Sequence, residues 1–269
     1  MVYRRPVRLW CGALATGLLL AGCSGGTTPG AAGSKGATTS SGARSSATPT
    51  PRATGLDFAA DPARTPKTSS AAERLARAVA AVPVNWGPGY VKRTPYESDP
   101  GAWPVLDADC VWQRESLPAT VLATVTRYSE LPATDGKGPI RVAAVVTVHR
   151  TVNEADWEMS ETLEEALRCP DQQLRQGERI TGLASQGSDF GVLGNLIAED
   201  MLTESGKYYS AELGGPYYYN WTQSRLGTVT VAAVGKGSEG RSTAEVDAAI
   251  QQGAGGMISR AKSELEATK

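Results

Sequence analysis

Runs of apolar residues with a two-residue repeat predict the central strands of this chain. In residues 119–128, Val121, Ala123 and Val125 alternate with side chains that would point to the opposite face of a strand. Residues 140–149 are apolar almost throughout, which is typical of a strand with both faces buried. We therefore expect this second strand to lie near the middle of a sheet. Glycine and proline in the short link between the two strands favour a hairpin turn.

Weaker patterns predict further strands towards the C terminus. They fall at residues 179–183, 195–204, 217–224 and 228–234, and the last two would form a hairpin. Residues 84–109, by contrast, contain four prolines and several glycines. This composition predicts a long ordered loop without regular structure.

Amphipathic repeats and capping residues predict three helices. The first follows a capping box at Ser70–Glu73 and ends at Pro83. The second starts at Asn153 and ends at Cys169, and the third is capped by Ser242 or Thr243. The predicted buried stripe of the second helix consists of Ala155, Met159, Leu163 and Ala166. Strands that are mostly neighbours in sequence, with helices between them, predict an α+β fold: a mainly antiparallel sheet with helices packed on it.

The N-terminal segment has the organisation of a bacterial export signal. Three arginines precede an apolar run, Leu9–Ala21, and the motif Leu20–Cys23 closes it. This motif resembles the lipobox of bacterial lipoproteins, in which the cysteine is lipidated and becomes the first residue of the mature protein. An uncleaved membrane anchor is the alternative, but 13 apolar residues are fewer than the roughly 20 that span a bilayer. The general secretory and twin-arginine export routes both remain open.

Composition then divides the chain into three parts. Residues 24–55 are Gly, Ser, Thr, Pro or Ala at 29 of 32 positions, which predicts a disordered tether because such a segment has nothing to bury. We therefore expect a signal peptide at 1–22, a lipidated cysteine and tether at 23–68, and one binding domain at 69–269.

Charge and cysteine content agree with an extracytoplasmic location. Without the signal, 24 basic residues face 28 acidic ones and form no basic block, which argues against nucleic acid as a partner. Membrane contact is expected through lipid on Cys23 alone. Cys110 and Cys169 remain as the only pair, and a disulfide is expected outside the cytoplasm. The alternative of a metal site is disfavoured because two thiols without histidine neighbours do not form one.

The sequence carries no motif that indicates catalysis. His149 is the only histidine, and the predicted domain, residues 69–269, has no Gly-x-Ser-x-Gly motif to present a serine to it. Five glutamates on the second predicted helix are expected to form a solvated face. Phosphate-binding, dinucleotide-binding and calcium-binding motifs are missing from the sequence. We expect no enzyme activity, no cofactor and no metal.

Aromatic residues cluster near the fifth predicted strand. Six of the fifteen Tyr and Trp residues lie within the fourteen positions from 208 to 221. In a strand, Tyr217, Tyr219 and Trp221 would share one face. Together with Tyr208 they are the candidate ligand-binding residues, because rings with polar tips suit an amphiphilic or sugar ligand. The alternative is that these rings only cover the sheet as part of the core.

The domain resembles the extracellular sensor domain of the mycobacterial kinase PknH and its actinobacterial lipoprotein relatives. The resemblance rests on the apolar strand 142–148, the helix ending in Arg168-Cys169-Pro170, the strand 225–231 and the C-terminal helix. It implies a sheet with helices around a broad cleft and a role in sensing ligands outside the cell. The family supplies no defined ligand site, so it implies no binding residue.

These observations lead to two hypotheses for function. The first is a lipid-anchored extracytoplasmic sensor or ligand-binding lipoprotein on the cell membrane, without catalytic activity, for a small-molecule or envelope ligand. The alternative is a structural or chaperone-like envelope protein that binds other proteins or lipids through the Tyr/Trp surface. An enzyme is the third and weakest alternative.

Overall fold

A curled antiparallel sheet of eight strands organises the described part of the chain, which in this computed structural model comprises residues 56–134, 136–186 and 197–266. The strand order is β1-β4-β5-β10-β9-β8-β7-β6, and β2 pairs with β3 in a separate hairpin. The strands are β1 (Val91–Glu97), β2 (Ala102–Leu106), β3 (Trp112–Ser116), β4 (Val121–Leu131), β5 (Ile140–His149), β6 (Gln172–Arg175), β7 (Glu178–Gln186), β8 (Asp200–Ser210), β9 (Gly214–Leu226) and β10 (Val229–Lys236). This confirms the predicted α+β class. The signal segment, Cys23 and residues 24–55 of the tether lie outside the described residues.

Helices cover both faces of the sheet in the described ranges. Helix α1 (Ser69–Val79), a 3₁₀ turn (Pro83–Trp86) and helix α3 (Thr243–Leu265) bury their apolar sides against β4, β5 and β10. Helix α2 (Val152–Arg168) packs on the opposite face, against β7, β8 and β9. The main core therefore lies between the sheet and the two terminal helices, and α2 covers a more polar face.

The alternation along β5 explains these two environments. Strand β5 lies between β4 and β10, as its apolar sequence predicts. Val142, Val146 and their alternate neighbours are buried in the main core. Arg141 and Val145 point to the α2 side, because successive side chains of a strand alternate between faces. We call this second side the cavity face.

Residues 84–109 correct one sequence-based expectation. They contain strands β1 and β2, where the composition predicted a loop. Both strands carry a proline, Pro95 in β1 and Pro104 in β2. Strand β1 is the edge of the large sheet and β2 belongs to a two-stranded hairpin, so each proline lies where a missing N–H is tolerated.

The predicted boundaries and faces of α2 also need correction. Thr151, not Asn153, caps the helix: its hydroxyl accepts from Glu154 N, and the Glu154 carboxylate accepts from Thr151 N. Leu163, assigned to the buried stripe, is 42% exposed. Ala155, Met159 and Ala166 are buried as predicted. At α3 the prediction is confirmed, since Ser242 forms a capping box with Glu245.

The segment that precedes α1 contacts the domain. Asp61 N donates to Leu265 O at 2.8 Å, and Ala60 forms a bridge with Glu266. Leu56 and Phe58 pack against the main core. Residues 56–68 thus contribute contacts to the domain although their composition resembles that of the tether.

In the described ranges, no helix combines the length and the hydropathy that a membrane-spanning helix needs.

Candidate ligand-binding cavity

A cavity of 760 Å³ lies on the cavity face of the sheet. Strands β4 to β10 form its floor, α2 covers one side, and the β2–β3 hairpin covers another. We call it the central cavity. Its volume is within the range of about 300–1,000 Å³ that is usual for small-molecule sites.

The floor of the central cavity follows from the strand register. Ala143 pairs with Val234, Val234 pairs with Trp221, and Trp221 pairs with Glu204. Two residues further along, on the same face, Arg141 pairs with Lys236 and Lys236 with Tyr219. Because paired residues share a face, the register places apolar, aromatic and charged groups side by side on one surface.

The β2–β3 hairpin adds two indole rings to the cavity wall. Trp103 and Trp112 both line the central cavity, and Trp112 Nε1 donates to Gln172 Oε1 at 2.9 Å. A disulfide joins Cys110, in the turn of this hairpin, to Cys169 at the end of α2, with 5.5 Å between the Cα atoms. The predicted disulfide is therefore confirmed, and it ties together two walls of the cavity.

One end of the cavity is basic. Four of the five cations that line the cavity among the described residues are grouped there, the fifth being Arg114 on β3, and Glu178 contacts three of the four. Lys236 Nζ lies 2.9 Å from Glu178 Oε2, Arg141 Nη1 lies 3.7 Å from Glu178 Oε1, and Arg175 donates to Glu178 Oε1. The cations are Arg93, Arg141, Arg175 and Lys236. We call this group the basic end.

Burial sets the protonation behaviour of the basic end. It lowers the pKa of Lys236 even though Glu178 opposes the shift, and burial followed by the charge of Arg141 lowers the pKa of Arg93. Burial opposes ionisation of Glu178, but Lys236 and Arg175 outweigh it and bring its pKa down to about 2. The basic end is thus a set of crowded cations around one ionised carboxylate.

The other end of the cavity is acidic. Glu204 of β8 is 4% exposed, and its Oε1 has no hydrogen-bond partner within the described residues. Burial, and then the charge of Glu165 on α2, raises the pKa of Glu204 to about 7. Burial, and then the charge of Glu161, raises the pKa of Glu165 to about 7 as well. We call Glu161, Glu165 and Glu204 the acidic end.

These positions correct the expected solvated face of α2 in part. Glu158, Glu161 and Glu165 line the central cavity, and of these only Glu161 is exposed. The buried stripe of the helix is narrow, so side chains next to it extend over the cavity. Periodicity identified most of the buried positions but not what lies beside them.

His149 and Glu158 form a hydrogen-bonded pair beneath α2. His149 Nε2 lies 2.6 Å from Glu158 Oε2, which also accepts from Thr230 Oγ1 at 2.6 Å. Gln223 Nε2 donates to the second carboxylate oxygen at 3.1 Å. His149 is 2% exposed and is not among the described residues that line the cavity. The pair therefore braces α2 against the sheet, and the imidazole has no contact with the cavity.

The four candidate aromatic residues lie on the cavity face, as the predicted alternation requires. Tyr219 and Trp221 line the central cavity. Tyr208 and Tyr217 belong to the same apolar cluster but are not among the described lining residues. Tyr217 OH donates to Leu213 O at 2.7 Å, and the ring of Tyr208 lies 4.9 Å from Lys236 Nζ. The structure thus brings two of the four to the cavity and places the other two beside it.

Sequence reasoning missed both charged ends. Arg141 is a charged residue inside an otherwise apolar strand, and Lys236 follows an apolar run directly. A buried charge needs a partner, so these two positions in the sequence could have indicated a buried charged site. Glu178 and Glu204 carry no such signal, because they lie in weakly patterned segments.

Among the described residues, no cluster of three or more histidine, cysteine or acidic side chains has an arrangement that could hold a metal ion.

Comparisons with known proteins add little to this picture. No protein-family model matches the chain, and no curated protein matches it. Among solved structures, it is similar to the extracellular domain of PknH from Mycobacterium tuberculosis, with 15% identity and a TM-score of 0.38. The match covers 54% of this chain and 66% of that domain, which is just under two thirds of its length. A similarity of this degree carries no conclusion about function.

Proposed function

We propose that this protein is a lipid-anchored extracytoplasmic binding protein whose central cavity holds a small amphiphilic ligand, without catalysing a reaction. The observation that carries the proposal is the cavity itself. It has the volume of a small-molecule site, aromatic and apolar walls, and charged groups at two ends.

The burial of the aromatic residues supports a cavity ligand over a flat protein-binding surface. Tyr208 and Tyr219 are buried, and Tyr217 and Trp221 are half-buried. A protein-docking patch would need these rings exposed over a contiguous area. Rings that line a concave wall instead suit a ligand that enters between the sheet and α2.

Two further observations support the location and the lack of catalysis. The export signal and the lipobox motif at Leu20–Cys23 favour attachment to the outer face of the membrane. Catalysis by His149 would need the imidazole within reach of a substrate, and its ring is buried against Glu158.

The test is binding of an uncharged fluorescent probe, N-phenyl-1-naphthylamine, which emits strongly only in apolar surroundings. We would use the mature chain, residues 23–269, with Cys23→Ser to leave out the lipid, exported behind a cleavable secretory signal so that the disulfide can form. Saturable binding is expected. Trp221→Ala removes a ring of the cavity wall and should raise the probe's Kd at least tenfold.

Leu167→Ala is the control for this experiment. Leu167 is 75% exposed on α2 and is not among the described residues that line the cavity, so its loss should leave the Kd within about twofold. A probe that does not bind, or that responds equally to the two substitutions, would contradict the proposal. Native mass spectrometry of the same protein would show any ligand retained from the cell as a discrete mass increment.

A further inference from the structure

We infer that the ligand of the central cavity is an amphiphile with one anionic head group, a carboxylate or a phosphate, held at the basic end. This inference rests on the proposed function and specifies the chemistry of the ligand. It is drawn from the balance of charge, the hydrogen bonding of Arg141, and the position of the acidic end.

The charge that faces the cavity at the basic end is unbalanced. Among the described residues, four cations line this end of the cavity, and Glu178 is the carboxylate that lines it with them. Two other carboxylates, Glu130 and Glu212, pair with Arg93 and Arg141 but are not among the lining residues. The surface that a ligand meets therefore carries excess positive charge, and an anion would relieve the repulsion between neighbouring cations.

Arg141 has hydrogen-bonding capacity that the described residues do not use. Its side chain is 8% exposed, and its Nε and Nη1 have no acceptor among them. The nearest carboxylate oxygens are Glu130 Oε2, 3.9 Å from Nε, and Glu178 Oε1, 3.7 Å from Nη1. Only Nη2 is bonded, to Glu212 at 2.7 Å. Buried donors are normally satisfied, and the oxygen of a carboxylate or phosphate is a strong, charge-assisted acceptor for a guanidinium N–H.

Glu178 does not compete for that role. Its Oε1 accepts from Arg175 and its Oε2 accepts from Lys236. Glu178 thus holds these two cations in position, and Arg141 and the neighbouring Arg93 are the cations that remain for the oxygens of a head group. Arg93 Nε lies 3.3 Å from Glu130 Oε2, but Glu130 is not among the described residues that line the cavity.

The acidic end indicates that the rest of the ligand carries no second negative charge. Lys236 and Glu204 are two strands apart and offset by two residues, which separates their Cα atoms by roughly 12 Å. Between them lie Tyr219, Trp221 and Val234. An anion there would be repelled by those carboxyls of the acidic end that are ionised and would make ionisation of Glu165 and Glu204 still less favourable, whereas an acyl chain or a ring system would contact the apolar groups between the two ends. One anionic head and an uncharged tail is the combination that fits both ends.

The experiment measures displacement of N-phenyl-1-naphthylamine from the mature chain by four amphiphiles with the same tail. Dodecanoate and dodecyl phosphate carry the anionic heads, 1-dodecanol is uncharged, and dodecylamine is cationic; all are used below the concentration at which they form micelles. We expect the two anions to compete at least tenfold more tightly than the alcohol and the amine. Equal competition by all four would overturn the inference.

Substitutions then locate the head group. Arg93→Gln and Arg141→Gln should each weaken the anions at least tenfold and leave dodecanol within about twofold. Arg179→Gln is the control: Arg179 is exposed on β7, one residue from Glu178, and its guanidinium lies over Tyr209 outside the described lining of the cavity.

Two arginine positions are tested because Arg141→Gln leaves Glu212 without its partner and could unfold the domain, which circular dichroism would reveal. Unchanged anion affinity in folded Arg93→Gln would contradict the inference.

A final competition experiment distinguishes a ligand with an anionic head group from a small free anion. Inorganic phosphate at tenfold excess over dodecyl phosphate should not prevent its binding, because the tail supplies contacts that phosphate lacks. If inorganic phosphate blocks dodecyl phosphate, the ligand is a free anion and the amphiphile inference is wrong. In each of these negative outcomes, probe binding that depends on Trp221 would still support the proposed function. Loss of probe binding altogether would contradict the proposed function instead.

Discussion

Glu204 shows how one buried residue sets both the stability and the chemistry of the cavity. Its carboxyl lies on the cavity face of β8, opposite Trp221 and near Glu165 of α2. Water is largely excluded from it, and the nearest charge on α2 has the same sign. Ionisation is therefore costly, and the protonated form is favoured up to about pH 7.

This burial makes the stability of the protein pH-dependent. The pKa of Glu204 is raised from its ordinary value near 4.5 to about 7, so the folded chain holds the proton more tightly than the unfolded chain. The contribution of Glu204 to the free energy of unfolding therefore falls as the pH rises through this interval and changes no further above it. Glu165 on α2 and Tyr219 on β9 face the same region, and Glu165 titrates in the same interval.

We predict that Glu204→Gln reduces this loss of stability. The variant carries no ionisable group at the position, so it should be more stable than the natural chain at pH 8 by up to about 3 kcal/mol and similar to it near pH 5. Urea denaturation at pH 5, 6, 7 and 8 measures the difference. Glu115→Gln, on the exposed β2–β3 hairpin, is the control. Parallel pH profiles for the natural chain and Glu204→Gln would show that this carboxyl does not control the effect.

At the scale of elements, α3 depends on one glycine for its contact with the 3₁₀ turn. A Cβ atom at Gly253 would lie 2.1 Å from Cζ3 of Trp86, whose indole ring is buried beneath the helix. Gly253 thus allows close packing of an aromatic ring from another element. At Gly255 an added Cβ would meet nothing within 4 Å.

These two glycines make a matched pair of substitutions. Gly253→Ala should destabilise the domain by about 1–3 kcal/mol, because a rigid buried ring must move to admit the methyl group. Gly255→Ala should stabilise it by up to about 1 kcal/mol, because alanine has the higher helix propensity and no neighbour opposes it. The midpoint of urea denaturation measures both. Equal effects of the two substitutions would contradict this account of the packing.

The walls of the cavity are also joined at the scale of elements. Arg168, in the last turn of α2, donates to the carbonyl oxygens of Leu106 and Asp107. The disulfide adds a covalent link between the same two elements. The β2–β3 hairpin is a separate sheet that meets the large sheet at an isolated bridge between Val111 and Gln173 of β6, so this bridge, the hydrogen bond of Trp112 and the contacts above hold it over the cavity.

At the scale of the whole molecule, the proposal combines a binding domain with an anchor that lies outside the described residues. The anchor depends on Cys23, and two or three acyl chains on one residue would make the attachment effectively permanent. Such an arrangement would hold the cavity near the membrane that supplies amphiphiles.

We predict that Cys23→Ser abolishes lipidation and cleavage of the signal. In a bacterium that processes lipoproteins, the natural chain should yield an N-terminal peptide that begins at Cys23 and carries the mass of a diacylglycerol group. Cys23→Ser should retain residues 1–22, which mass spectrometry of the intact protein detects. Cys11→Ser, another cysteine of the same segment, should be processed normally. Identical processing of the two variants would contradict the lipid anchor.

Much of the secondary structure follows from local patterns. The central position of β5, the capping box at Ser242 and the shared face of Tyr217, Tyr219 and Trp221 all depend on the sequence period of one element. Strands β1 and β2 were missed because their prolines suppress the local signal. Their edge positions, which tolerate proline, are defined only by pairing with other parts of the chain.

The sequence by itself determined the α+β class, the disulfide pair and the expectation of export, because each depends on composition or on a short-range period. The tertiary structure decided where the chemistry lies. Arg141 and Lys236 are paired on neighbouring strands, and Glu178 of β7 reaches them because the sheet is curled. Glu165 faces Glu204 because α2 crosses that sheet. Charges that are far apart along the chain interact strongly only when folding buries them close together, because water then no longer screens them.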